Sequence, residues 1–339
     1  MVALGGGHGL AASLQALRRV TDALTAVVTV ADDGGSSGRL RRELGVLPPG
    51  DLRMALAALC GDDEWGQTWS RVAQHRFRSA GDLHDHAVGN LLIVALWELL
   101  GDSVAGLDWV ARLLGAHGRV LPMSLVPLDI EAVMALEPGA EGPGRSGQTV
   151  TVRGQVAVAT TPGHVVSLGL VPDRPPACQE AVAAVRSADW VVLGPGSWYT
   201  SVIPHLLVPD LAEALCSTSA RRVVVLNLAP QPGETAGFAP ETHLEVLAEH
   251  AGGLRLDAVV ADRAAVPHPD RLARVAESLG AELRLDHLAR DGHPEMHDPD
   301  RLGAVLGALF ADPGVTAGDS RPGRPGRFPR LDPLSTDRM

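Results

Sequence analysis

Val2-Ala3-Leu4-Gly5-Gly6-Gly7-His8-Gly9-Leu10, followed by Ala26-Val27-Val28-Thr29-Val30 and then Ala31-Asp32-Asp33-Gly34-Gly35-Ser36-Ser37-Gly38-Arg39-Leu40, decides the fold. A short apolar strand runs into a glycine cluster. Leu10, Leu14 and Leu17 then recur at helical spacing, and a β-branched strand runs into a second glycine loop. Strand, glycine turn, helix, strand is the grammar of a parallel βαβ unit. The first strand has three residues, short of the usual five or six, which points to a start upstream of Met1.

Working outward, residues 51 to about 117 read as helical. Pro48-Pro49-Gly50-Asp51 supplies a turn with an N-cap at Asp51, and Asn90 opens an apolar helix after Gly89. Residues 129 to 171 change character. Asp129 to Leu136, Thr149 to Val152, Gln155 to Ala159 and Val165 to Leu170 read as short strands of a small antiparallel insertion. Parallel-sheet patterning resumes at Trp190-Val191-Val192-Leu193, Val223 to Asn227 and Ala258 to Ala261. A helix opening at Asp298-Pro299 closes the pattern. The expected architecture is one α/β domain over residues 1–312, a doubly wound, mostly parallel sheet with helices on both faces. The Pro-, Gly- and Arg-rich residues 313–339 are expected to form a disordered tail.

Composition narrows the function classes. A net charge of −11 argues against nucleic-acid binding, which needs a basic footprint. Three cysteines, Cys60, Cys178 and Cys216, form no Cys-x-x-Cys pair and fit a reducing, cytoplasmic compartment. The longest apolar run, Leu91 to Leu100, falls far short of a bilayer span, so no membrane insertion is expected.

The candidate chemistry lies in the loops that follow strands. Gly6, Gly7, His8 and Gly9 are placed for backbone N–H groups to meet an anion at a helix N-terminus. They match neither the dinucleotide fingerprint, since Leu10 stands where a glycine is required, nor a Walker A loop; a plain tight turn is the simpler alternative. The second loop adds Asp32 or Asp33 for a ribose hydroxyl or a divalent cation. It also adds Gly34 and Gly35 for a backbone nest, Ser36 or Ser37 for a cap, and Arg39. Gly194-Pro195-Gly196-Ser197 with Thr200 and Ser201 forms a third such loop. Asn227, Gln231, Glu234 and Thr235 offer polar groups for a base or sugar. Gly-Pro-Gly-Ser is not the Gly-x-Ser-x-Gly of a hydrolase elbow. His84-Asp85-His86 lacks metal-ligand spacing, and His86, four residues before Asn90, is the histidine that could point into the same cleft.

Taken together, these loops resemble the CofD-like superfamily, in particular its YvcK branch, whose members are named gluconeogenesis factors. The resemblance rests on Gly5-Gly6-Gly7-x-Gly9-Leu10, on Thr29 to Leu40, and on Leu47-Pro48-Pro49-Gly50-Asp51-Leu52-Arg53. It extends through His86-x-x-Gly89-Asn90-Leu91-Leu92-Ile93, Gly194-Pro195-Gly196-Ser197-x-Tyr199-Thr200-Ser201, Asn227, Gln231 to Thr235, and His297-Asp298. It implies a Rossmann-like core with a central nucleotide cleft. For the YvcK branch it implies binding of UDP-N-acetylglucosamine and a role in cell shape and wall-precursor control during gluconeogenic growth, with a homodimer and a regulatory protein partner. For CofD itself it implies transfer of a phospholactyl group to a deazaflavin with Mg²⁺, and Asp33 and Asp51 are the positions most like the metal-holding aspartates. Two departures stand out. His8 replaces the family's Thr, and Met296 replaces an Arg before His-Asp, which leaves either a weaker diphosphate grip or Arg290 in its place.

Overall fold

The computed structural model describes residues 1–136, 149–231 and 233–312. The expected tail, 313–339, and residues 137–148 of the expected insertion lie outside the described residues.

Strand β1 (Val2–Gly5) leads through helix α1 (Gly7–Leu17) to β2 (Thr25–Val28). Five helices follow, α2 (Gly35–Leu44), α3 (Gly50–Ala58), α4 (Glu64–Gln74), α5 (Val88–Leu100) and α6 (Ser103–Leu114), before β3 (Arg119–Pro122). The insertion comprises β4 (Asp129–Leu136), β5 (Thr149–Arg153), α7 (Gln155–Thr160) and β6 (Gly163–Val171). The second half runs α8 (Gln179–Ser187), β7 (Trp190–Leu193), α9 (Pro209–Ser217), β8 (Arg221–Val225), α10 (Pro240–His250) and β9 (Ala258–Asp262). It ends with α11 (Pro269–Ser278), β10 (Glu282–Asp286), a hairpin of β11 (Ala289–Arg290) and β12 (His293–His297), and α12 (Pro299–Ala311).

The main sheet is parallel throughout, in the order β10-β9-β8-β7-β1-β2-β3. Every residue of β1, β7 and β9 is buried, as expected of strands covered on both faces. The chain winds from β1 outward to β3, then returns to place β7 beside β1 and winds the other way. Right-handed crossovers in opposite directions put the connecting helices on opposite faces. The point where the winding reverses, between β1 and β7, is where such sheets bind ligands beyond the strand ends.

The expected doubly wound sheet and antiparallel insertion are both present, with β4 central between β5 and β6. Four local expectations fail, the first being the cap expected of Ser36 or Ser37, since both lie inside α2 and Gly34 holds its N-cap position. Gln155 to Ala159 is helix α7 and not a strand. Gly154, at φ 103°, turns the chain out of β5, and the Val156 N–H donates to Asp33 Oδ1 at 3.1 Å, fixing the first turn of a helix. Val156 and Val158 suggested a strand because β-branching favours one, but a tertiary contact overrode that weak preference. Asp51 is not an N-cap either; Pro49 holds that position and Asp51 lies inside the first turn. Helix α5 begins at Val88, so Asn90 is a buried residue of its first turn. Strands β3 and β10 and the β11–β12 hairpin carried too little periodicity to be read.

Candidate functional site

The three loops beyond β1, β2 and β7 interlock at the winding reversal. Ser13 Oγ donates to the Gly194 carbonyl (2.9 Å), and Thr29 Oγ1 lies 3.2 Å from the Gly5 carbonyl and 3.0 Å from that of Ser201. Backbone meets backbone at Gly9, where a Cβ would overlap the Pro195 carbonyl and lie 2.5 Å from Gly196 Cα. Only glycine allows that approach.

Two helices point their N-termini at this junction. Their N-cap residues, Gly6 for α1 and Gly34 for α2, offer no side-chain cap, and neither first turn contains an acidic residue. Uncapped N–H groups at a helix N-terminus favour an anion. His8 stands exposed on the first turn of α1, and Gly35 is exposed at the start of α2. The third loop differs, because Glu234, 2% exposed, accepts from Tyr199 N (3.2 Å) and Thr200 Oγ1 (2.8 Å). Burial raises the Glu234 carboxyl above its ordinary range, and these bonds oppose the rise.

Several residues expected to touch a ligand make hydrogen bonds that build the walls. Asn227 clamps Gly196 at two points, its Oδ1 accepting from Gly196 N (2.8 Å) and its Nδ2 donating to Gly196 O (2.9 Å). Thr235 Oγ1, fully buried, accepts from Gln231 N at 2.8 Å. Arg39 donates to the carbonyls of Asp82 (3.2 Å) and His84 (2.6 Å), holding the segment that carries His86. Ser36 and Ser37 are buried, with Ser36 Oγ bonded to His86 Nδ1. Ser197 stays partly exposed, while Thr200 and Ser201 are buried. Gln231 Oε1 and Gln155 Oε1 are buried without a partner, acceptors for a donor not supplied by the described residues. Gln155 was missed because its segment read as a strand.

The acidic residues separate by role. Asp33 is occupied by α7, whereas Asp51 and Asp32 face one another. Asp51 Oδ2 lies 2.6 Å from where a Cβ on Gly6 would sit, and its carboxyl accepts from the Gly7 N–H. Asp32 Oδ2 lies 2.8 Å from the corresponding position on Gly50, and its Oδ1 accepts from Gly34 N. Burial first, and the Asp32 charge second, push Asp51 up to about 7. A divalent cation would relieve that repulsion; Asp32 and Asp51 could hold one, while Asp33, expected beside Asp51, has its Oδ1 taken by Val156 N. The described residues contain no cluster of three or more His, Cys, Asp or Glu that would complete a metal site. Arg53, only 4% exposed, lies close enough to feel both carboxylates, and burial lowers its guanidinium to about 10. It belongs to a matched motif, yet its type and spacing alone gave no reason to single it out.

The family model described as 2-phospho-L-lactate transferase CofD matches residues 1–297. The chain belongs to the CofD family. It is 55% identical to the Mycobacterium tuberculosis (strain ATCC 25618 / H37Rv) protein named "Putative gluconeogenesis factor", over 92% of this chain and 90% of that relative. It is 35% identical to the "Gluconeogenesis factor" of Listeria innocua, over 91% of this chain and 95% of that one. Among solved structures, a UPF0052-family protein from Bacillus halodurans superposes with a TM-score of 0.77 at 31% identity, covering 90% of this chain and 97% of its own. Of the stretches that carry the resemblance, Gly5–Leu10, Thr29–Leu40 and Gly194–Ser201 supply the loops that interlock at the sheet reversal. No helix among the described residues is long and apolar enough to cross a membrane.

Proposed function

We propose that the chain is a cytoplasmic regulatory protein that binds a nucleotide-sugar of the UDP-N-acetylglucosamine kind at the reversal between β1 and β7. In this reading it couples wall-precursor supply to cell shape during gluconeogenic growth, as a homodimer acting on a protein partner. The observation that carries the binding reading is the pair of N-termini of α1 and α2 at the switch point of the sheet, whose N-cap glycines supply no side-chain cap and whose own first turns hold no acidic residue, with Asp51 and Asp32 taking only the Gly7 and Gly34 N–H groups. Two such termini suit a diphosphate, each favouring an anion by up to about 1 kcal/mol at an exposed site. The free acceptors Gln231 Oε1 and Gln155 Oε1 suit N–H or O–H donors of a base or sugar. His8 and Ser197 supply reachable donors at the rim.

Isothermal titration with UDP-N-acetylglucosamine, GDP and NADP, each with and without magnesium, tests the reading. Saturable heat with the UDP-sugar is expected, and its absence sinks the proposal. The facing Asp32 and Asp51 favour a second reading, a transferase of a phosphoryl-linked group, in which these two carboxylates would hold Mg²⁺ against the phosphates. Strong magnesium dependence with GDP would favour that reading.

A further inference from the structure

A chain of side-chain hydrogen bonds runs from a buried arginine to a histidine, and donor chemistry fixes its direction at every link. Arg53 Nε lies 2.9 Å from Asn90 Oδ1. A guanidinium has no acceptor, so Asn90 must turn its oxygen toward Arg53 and its amide nitrogen the other way. That nitrogen, Nδ2, lies 3.1 Å from Ser36 Oγ and donates to it. The Ala87 N–H approaches the same oxygen at 3.4 Å. With Ser36 Oγ accepting from both, its single proton goes to its remaining neighbour, His86 Nδ1 at 3.0 Å. A ring nitrogen that accepts carries no proton, so the imidazole is protonated on Nε2.

Each member is held in place. Arg53, Ser36, Asn90 and His86 are 4%, 2%, 1% and 7% exposed. Gly89 leaves room for the arginine stem, since a Cβ there would lie 2.8 Å from Arg53 Cγ and 2.8 Å from the Ala73 carbonyl. The chain ties α3 to α5 and α5 to the first turn of α2, and ends on an imidazole whose Nε2 takes no bond from any described residue. Burial, then the neighbouring Arg39, lowers the His86 pKa, in keeping with a neutral ring.

We propose that Arg53, Asn90 and Ser36 are positioning residues that hold His86 as the neutral Nε2–H tautomer, and that this Nε2–H donates to a phosphate or sugar oxygen of the bound ligand. The second half rests on the nucleotide-sugar reading; the first half stands on the free protein alone. A network with a purely structural role would stabilise the helices without caring which ring nitrogen holds the proton.

Two-bond ¹H–¹⁵N correlation spectra of the free protein at neutral pH read the tautomer directly. The Nε2–H form is expected for wild type, and an Nδ1–H form overturns the proposal. Asn90→Asp keeps the shape and still accepts from Arg53, but it cannot donate to Ser36. The hydroxyl proton then turns toward the new carboxylate, and His86 is expected to switch to Nδ1–H. Retention of Nε2–H in that variant refutes the positioning chain. Ser36→Ala, which removes the donor to Nδ1, is expected to give a mixture and guards against misfolding of the first variant. On saturation with UDP-N-acetylglucosamine the His86 Nε2–H resonance should move, and Asn90→Asp should weaken binding about 5- to 10-fold, the loss of one hydrogen bond. A switched tautomer with unchanged affinity overturns the donor role. Failure of wild type to bind removes that role together with the functional reading, while the tautomer result in the free protein still decides the positioning chain.

Discussion

His205 makes the acid behaviour of this fold predictable. It sits in the turn Ile203–Leu207 after the third loop, is 0% exposed, and points Nε2 at the Val27 carbonyl (3.1 Å) and Nδ1 at that of Val202 (3.4 Å). Burial lowers its pKa from 6.5 to about 4, although the carbonyls oppose the shift. Below pH 6.5 the unfolded chain takes up a proton that the folded chain refuses. The stability tied to this group is therefore complete above pH 6.5 and is lost as pH falls toward 4. At about 1.4 kcal/mol per decade of pH, the loss across that window is about 3 kcal/mol. Other groups titrate there as well. His297 is likewise lowered to about 4, and Asp51, raised to about 7, acts with the opposite sign. The informative quantity is thus the difference between wild type and His205→Gln, which keeps an N–H for Val27 but cannot titrate. Urea unfolding at half-unit steps from pH 4 to 7.5 should show the variant gaining on wild type by about 3 kcal/mol as the solution is acidified. A difference that stays flat with pH would refute the reasoning.

Asp51→Asn tests the opposite slope. A carboxyl raised from 3.8 to about 7 costs wild type up to about 4 kcal/mol between those values as pH rises. With EDTA present, the variant should be the more stable protein at pH 8 by urea midpoint, and equal midpoints at pH 5 and pH 8 would count against the buried-pair description. Gly9→Ala should cost on the order of 1–3 kcal/mol, because its Cβ meets the backbone of Pro195 and Gly196, which cannot rotate away as a side chain would. A thermal midpoint within a degree of wild type would show that the loops are not in the contact described.

The fold was largely legible because the inner parallel strands read as short Val, Leu and Ala runs, with β1 and β7 running into glycine. The antiparallel insertion was legible from its short strand-like runs, except at Gln155 to Ala159, where one carboxylate on a distant loop favours a helix. The gathering of the candidate loops was legible, and the part each residue plays in them less so. Loop glycines and polar residues gather where the sequence put them, but Asn227, Thr235 and Arg39 spend their hydrogen bonds on backbone. Composition does not distinguish a residue that shapes a loop from one that fills it; hydrogen-bond partners do. Arg53 went unremarked for the converse reason, since nothing in its spacing reveals that its nitrogen meets Asn90 across two helices. Asp33 illustrates both, being an obvious acid in an obvious loop that turns out to hold a helix 123 residues away.

The interlock of the loops beyond β1 and β7 also bears on how the molecule is made. Ser13 reaches Gly194 and Thr29 reaches Ser201 across 181 and 172 residues of chain. A nascent polypeptide emerging from the ribosome exposes the first strand with one edge bare until Trp190–Leu193 arrives to pair with it. Both helix N-termini exist early in synthesis, yet the wall that closes the crevice between them and the second half comes last. Under the proposed function, ligand capture would become possible only when the second half has docked, and a prematurely terminated chain would present an open strand edge in place of the closed crevice.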